Sequence, residues 1–432
     1  MTSYFVRLGS FSRDVRLFFI TACAVGFAFD GGIYSVIFNL YLLRLEYGPA
    51  FIGQVNSAGL LAFSVCSLPA GALGARFGSR RVMVAGLALM LVGCTALPLA
   101  EFSPPGWQAS WLLVTYILVL VGVSLYFVNA APFLMRAADP TRRNQAASVQ
   151  TALLALAAFV GSLVGGFLPG VTAALLGINL DQAAAYRYPL LTAALLLLPA
   201  VFVMRATSPA NDAPADDDED PLSSDANTGK VLRAVAFPLV VVSVLVGVRL
   251  FQVAGIAATF TFFNVYLDDG LGAPTAQIGV LTGLGRLLAV PAALLTPVLA
   301  ARFGNSRVVV WASFLGAVVL LPLALIPTLG AAGFGYVGIV ALSSIRYPAF
   351  LVYSMELVPG RFRGPVAGAG EMAAGMSFSV MALLGGYLIA TSGYQSLFLL
   401  SAGLTVVGAL LFWFYFRVPR GELAKPIVVE GQ

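Results

Sequence analysis

The sequence predicts an all-α polytopic membrane protein, with twelve transmembrane helices in two pseudo-symmetric six-helix bundles. Three observations carry this expectation: an apolar, charge-poor composition, twelve apolar runs of spanning length, and an internal repeat. Of the 432 residues, 59% are hydrophobic and only 10% are charged, against about 25% charged in soluble proteins. The mean hydropathy is +0.93.

The spans follow from length. A helix needs about 20 apolar residues to cross the hydrocarbon core. Apolar runs cut by charges and by Gly/Pro clusters fall near 16–43, 51–75, 82–100, 110–135, 145–170, 187–204, 236–267, 276–300, 308–328, 332–355, 366–390 and 395–416. Between the sixth and seventh lies a hydrophilic stretch, 205–233, with three prolines and seven acids. Its composition predicts a solvated acidic linker. The expected organisation is therefore a bundle over 1–204, the linker, and a bundle over 234–432 with a short tail.

Twelve spans leave both termini on one side. Of the 24 Lys and Arg residues, 19 fall in the termini and even-numbered loops, two (Arg44 and Arg187) in the opposite loops, and three inside spans. The positive-inside rule then places both termini in the cytoplasm, with the chain in a plasma membrane of the bacterial inner-membrane type. The formal charge of +5 is thus a topology signal, and no nucleic-acid partner is expected. Histidine is absent, and the three cysteines lie inside apolar runs. Neither a cofactor nor a metal site is expected.

The repeat is specific. Phe38-Asn39-Leu40-Tyr41-Leu42 returns as Phe263-Asn264-Val265-Tyr266-Leu267, and Ile52-Gly53 returns as Ile278-Gly279. Ala75-Arg76-Phe77-Gly78-Ser79-Arg80-Arg81-Val82 returns as Ala301-Arg302-Phe303-Gly304-Asn305-Ser306-Arg307-Val308. The offset holds at 225 to 226 residues across about 45 positions, and Gly165-Gly166 and Gly385-Gly386 extend it at 220. Parallel copies of this kind suit two bundles that rock around a central site. The Gly-rich runs in spans five and eleven read as close-packing faces.

The loop from Gly71 to Arg81 resembles the G-x-x-x-D-R-x-G-R-R marker of the Major Facilitator Superfamily, and its weaker copy lies where that family has one. Pro359 to Gly364, with Arg363 in the basic position, is similar to the family's P-x-x-x-R-G. The resemblance implies a secondary transporter with a cytoplasmic gate built from Gly71, Arg76, Gly78, Arg80, Arg81, Arg302, Gly304, Arg307 and Arg363. The family's aspartate is replaced by Ala75, and Ala301 stands in the second copy, so the latch it makes elsewhere must be weaker here or built from other residues. The resemblance also places helices 1, 4, 7, 8, 10 and 11 around the central cavity.

Ionisable residues inside spans are the sharpest functional pointers, since each costs about 2.5–3.5 kcal/mol on insertion scales. Asp30, Arg249, Arg286 and Arg346 lie mid-span, and Glu371 lies about a third of the way in. Asp30 and Glu371 are candidate proton-coupling sites. Arg249, Arg286 and Arg346 are candidate substrate ligands, with Tyr34, Gln252 and Asn129 as polar neighbours. Helical spacing predicts one face carrying Gly26, Asp30, Tyr34 and Tyr41, and another carrying Arg249, Gln252 and Thr259. For Asn129, interhelical hydrogen bonding competes with a substrate role.

Two mechanisms stay open at this stage. In one, the arginines hold a small anionic or amphipathic organic solute, with protons as a coupling ion. In the other, Asp30 drives efflux of lipophilic drugs. An intramembrane enzyme lacks support: the chain has no histidine, G-x-S-x-G elbow or CxxC pair, and no Walker loop couples it to ATP. The expected partners are the substrate and the bilayer, with the chain acting as a monomer.

Overall fold

The computed structural model describes residues 11–104, 106–139, 142–209, 239–359 and 363–418. The first ten residues, the linker beyond residue 209, residues 360–362 of the Arg363 motif and the C-terminal tail fall outside these residues. The elements are α1 (Arg13–Ala28), α2 (Ile33–Arg44), α3 (Pro49–Phe77), α4 (Ser79–Ala96), a 3-10 turn (Leu97–Phe102), α5 (Gln108–Ala137), α6 (Arg143–Leu176) and α7 (Ala184–Arg205). The second half contributes α8 (Leu239–Gln252), α9 (Ala254–Val265), a π turn (Tyr266–Gly270), α10 (Thr275–Phe303), α11 (Asn305–Leu325), α12 (Leu329–Glu356) and α13 (Arg363–Phe416). Hydrocarbon offers no hydrogen bonds, so each segment satisfies its own backbone as a helix.

Among the described residues, eleven helical stretches are long and apolar enough to cross a membrane. The last apolar stretch, Val366–Phe416, has 51 residues, enough for two crossings. Gly393, at φ 78°, breaks it where spans eleven and twelve divide. This all-helical architecture is the one the sequence predicts. Two spans, however, are not continuous helices. Span one is interrupted between α1 and α2 over Phe29–Gly32, with Gly31 at φ 79°. Span seven turns at Val253 between α8 and α9. A Cβ on Gly32 would lie 1.9 Å from the Phe27 carbonyl oxygen, so only glycine fits that corner. At the repeat offset of 225, Val253 corresponds to Ala28, the residue just before the first interruption.

Interruption also removes the predicted faces. Gly26 packs on Leu154 of α6, whereas Tyr34 lies beyond the break, stacked on Phe38 and tilted against Phe29. Gln252 ends α8 and presses its Cγ toward Gly408, while Thr259 is a turn into α9 and donates to the Gly255 carbonyl. Neither stripe survives as one helical face.

By contacts, the chain forms two compact units. The first takes the described residues of Met1–Ala215 together with Thr261–Leu287 and Ala382–Tyr394. The second takes those of Asp216–Phe260, Leu288–Met381 and Gln395–Gln432. In the first, α4 packs against α5 and α7, and α1 against α6. In the second, α11 packs on α12, and Tyr353, Phe412 and Phe416 form an aromatic core with Val308 and Leu245.

Candidate functional site

Four of the predicted site residues meet in the second unit. Arg249 at the end of α8 and Arg346 in α12 are 5% and 3% exposed, and their charges are electrostatic neighbours. Arg346 donates through Nη1 to the Gln252 carbonyl and approaches Ser343 Oγ at 3.5 Å. The Arg249 guanidinium lies over the rings of Tyr347 and Phe350, at 5.2 and 5.0 Å from their centroids. Its carboxylate partner is Glu371 at 3.8 Å, a side chain that is itself 55% exposed. Among the described residues, the Nε atoms of both arginines and both amide atoms of the fully buried Gln252 have no hydrogen-bond partner. Of these two buried cations, Arg249 has one long contact with an exposed carboxylate, and Arg346 is held by a backbone carbonyl. Buried charges and amides normally find partners, so the cluster has unmet capacity for an anion with hydrogen-bonding groups.

Arg286 is elsewhere. It belongs to the first unit with Asp30. Its guanidinium covers Gly31, where a Cβ would lie 2.7 Å from Arg286 Nε. The interrupted helix is what lets this arginine approach the backbone beside Asp30. Asp30 is half-buried and makes no salt bridge among the described residues. Ser162 of α6 closes the other side of the break by donating to the Gly31 carbonyl.

Tyr34 and Asn129 sit inside the first helical bundle. Tyr34 is 2% exposed, packed beside Cys94 and Tyr116. Asn129 is 1% exposed, and its Nδ2 donates to the carbonyls of Ala70 and Leu125 at 3.0 Å each. Gly74 makes room for it, since a Cβ there would fall 1.7 Å from Asn129 Oδ1. Here the interhelical role is the one the geometry displays.

The repeated arginine loops match closely. Gly78 and Gly304 both take positive φ, 92° and 83°, and each caps the helix that follows without a side-chain hydrogen bond. Arg76 stacks over Phe77 at 5.2 Å and Arg302 over Phe303 at 5.3 Å. Arg80 donates to the Arg205 carbonyl at 2.6 Å, and Arg363 donates to the Met355 carbonyl at 3.2 Å. Arg81 and Arg307 are exposed in the first turns of α4 and α11, and Gly71 faces Val128. Carbonyl oxygens at helix ends therefore accept some of these arginines, which fits the missing aspartate.

At the ends of the spans away from these loops, the first unit holds a second set of paired contacts that sequence reasoning did not single out. Asn39 Nδ2 donates to the Thr261 carbonyl at 2.8 Å, and its repeat mate Asn264 donates to the carbonyls of Ser35 and Val36 at 3.0 and 3.1 Å. Gly166 meets Gly279 and Gly53 meets Gly386, each pair nearly backbone to backbone. The repeat relates these two crossings as well. Arg44 forms a bidentate pair with Asp268 at 2.6 and 2.8 Å. Arg187 pairs with Glu101 at 2.6 Å. The two arginines on the minority side of the charge count are thus both ion-paired. The asparagines were visible within the repeat, but nothing local to them specified a partner 222 residues away.

Comparison with known proteins decides the family. A family model described as Major Facilitator Superfamily matches residues 20–369 and 340–431. The chain belongs to the Major Facilitator Superfamily. Solved structures share this family's fold. The crystal structure of the nucleoside transporter NupG superposes with TM-score 0.69 at 13% identity, covering 94% of this chain and 99% of that one. A D-xylose–proton symporter gives 0.70 at 15%, covering 92% and 97%. A bacterial homologue of the human lysosomal transporter Spinster gives 0.68 at 14%, covering 93% and 96%. An uncharacterised MFS-type transporter of Mycobacterium tuberculosis is 29% identical over 150 residues, which is 34% of this chain and 25% of that relative. The chain thus shares the fold of solved membrane transporters, and its described helices are long and apolar enough to span a membrane.

Proposed function

We propose that this superfamily member is a secondary transporter that moves a small organic anion by alternating access, with Arg249 and Arg346 anchoring the acidic group. The observation that carries the reading is the charge imbalance in the second unit: two buried guanidinium groups against the exposed Glu371. A buried cation without a counter-ion costs several kcal/mol. An acidic substrate supplies that counter-ion and frees Glu371. Guanidinium groups favour carboxylate or phosphate oxygens through paired contacts, and the Gln252 amide offers one more donor and acceptor. Asp30 and Glu371 are the proposed proton sites. The Asn39, Asn264 and paired-glycine contacts are the proposed closure of the face opposite the arginine loops.

A thermal-unfolding screen of the purified protein against anionic metabolites and cationic lipophilic drugs tests this. Anions are expected to stabilise it. Arg249→Gln and Arg346→Gln should weaken the best anion by about 1.5–3 kcal/mol for at least one of them, roughly ten- to a hundredfold in affinity. Arg286→Gln, against the first unit's break, is the third arginine variant to compare. Stabilisation by lipophilic cations alone, or normal anion binding in all three variants, would replace this reading with drug efflux.

Orientation is a separate expectation. A reporter active only outside the cytoplasm should be silent when fused after Val418 and active near Asp181 or Asp268. Activity at Val418 would invert the topology that the arginine count assigns.

A further inference from the structure

The two halves differ at one corner of the arginine loops. In the first half, Arg80 reaches from the start of α4 to the Arg205 carbonyl at the end of α7, at 2.6 Å, and closes the corner. The repeat register pairs Arg76 with Arg302, Gly78 with Gly304 and Arg81 with Arg307, which puts Ser306 where Arg80 stands. A serine is too short to make that reach. Among the described residues, no arginine bridges the matching corner of the second half, between the start of α11 and the end of α13. It is a cavity of about 660 Å³ whose lining includes Phe303, Arg307, Trp311, Trp413, Phe416 and Arg417.

We propose that this corner binds the phosphate headgroup of an anionic phospholipid. Among the described residues neither Arg307 nor Arg417 forms an ion pair with a carboxylate. Arg417 instead rests over the Phe414 ring at 5.7 Å. Helix α11 begins here, and its N-cap, Gly304, provides no side-chain hydrogen bond. The N–H groups of its first turn therefore add positive potential to the two arginines. Trp311 and Trp413, 65% and 45% exposed, have the amphipathic rings that settle at headgroup depth. Phe303, Val310 and Phe416 supply an apolar wall for the upper acyl chain. A free phosphate ion would leave that wall uncovered. Basic pockets between helices on the arginine-rich side of a membrane are suited to anionic headgroups, and that side is the one these loops occupy. The site is separate from Arg249 and Arg346, so it can be tested without reference to the transported solute.

The test is thermal unfolding of the full-length protein in neutral detergent with phosphatidylglycerol, phosphatidylcholine or inorganic phosphate. Phosphatidylglycerol is expected to raise the melting temperature, while the other two leave it unchanged. The double variant Arg307→Gln/Arg417→Gln should weaken that response about tenfold or more in lipid concentration, as loss of charge-assisted contacts demands. Arg249→Gln should keep the full response. Ser306→Arg provides an independent variant, because it rebuilds the closed corner of the first half while retaining both native arginines. It too should lose the response. An equal effect of phosphatidylcholine, an equal effect of phosphate alone, or an undiminished response in either corner variant would overturn the proposal. Should the double variant not fold, native mass spectra provide the same discrimination: phosphatidylglycerol should stay on the wild-type protein and be lost from Ser306→Arg, and equal retention by both would overturn the proposal.

Discussion

Leucine at Gly166 or Gly53 is expected to prevent closure of the face opposite the arginine loops and to stop transport. A Cβ at Gly166 would lie 2.8 Å from Gly279 Cα and 3.0 Å from the Thr275 carbonyl oxygen. At Gly53 it would lie 2.4 Å from the Ala382 carbonyl oxygen and 3.0 Å from Gly386 Cα. The obstacle in both cases is backbone, which cannot rotate aside as a side chain can. Overpacking costs about 1–3 kcal/mol, a roughly five- to hundredfold loss in the population of the closed face per site. Because the repeat relates the two crossings, the double variant should lose more than either single one. The readout need not await a substrate. Gln54→Cys, in a background with Cys23, Cys66 and Cys94 changed to alanine, reports access by an impermeant maleimide, and Gln54 hydrogen bonds Tyr387 across this face at 2.6 Å. Labelling should accelerate in both glycine variants. Gly170→Leu, on the same helix with open space at its Cβ, should label and transport like the parent. Unchanged labelling at both crossings would mean that these contacts do not set the closed face.

Much of this architecture is written plainly in the sequence. Membrane spans are legible because hydrocarbon imposes a simple length rule, and the 225-residue offset survives because both halves keep the same turns at Gly78 and Gly304. The paired asparagines and glycines are repeat mates for the same reason. The grouping of the arginines was not legible. A helix that is apolar on every side carries no stripe to fix its rotation, so nothing in the spacing told Arg286 from Arg249. Two side chains illustrate the limit. Asn129 is polar and mid-span, like a ligand, yet Gly74 leaves a notch that aims it at the Ala70 carbonyl. Arg44 looked like a stray loop charge, yet Asp268 holds it with two hydrogen bonds. The interruption of span one did leave a signal. Asp30-Gly31-Gly32 is a turn sequence inside an apolar run, and reading the run as one helix placed Asp30 and Tyr34 on a shared face that the break removes.

That break is where proton coupling is best tested. Asp30→Asn is expected to abolish accumulation driven by a pH gradient and to leave exchange intact. Asp30 precedes the left-handed Gly31 and is followed by the first turn of α2, so its carboxyl is carried by a corner rather than a helix face. Arg286 covers the neighbouring glycine, which sets a cation against the backbone of this corner. A carboxylate within a span costs about 2.5–3.5 kcal/mol unless it is paired, hydrated or protonated. Trading one of these conditions for another as α10 moves against the break would link proton uptake to closure. Asparagine keeps the size and polarity of the neutral acid but cannot release or take up a proton. The variant should therefore bind the anion found by the unfolding screen and exchange it across proteoliposomes at equal pH. Under an imposed pH gradient, its accumulation should fall to the level reached without one. Accumulation at the wild-type rate would remove Asp30 from the coupling step and make Glu371, exposed beside Arg249, the group to change next.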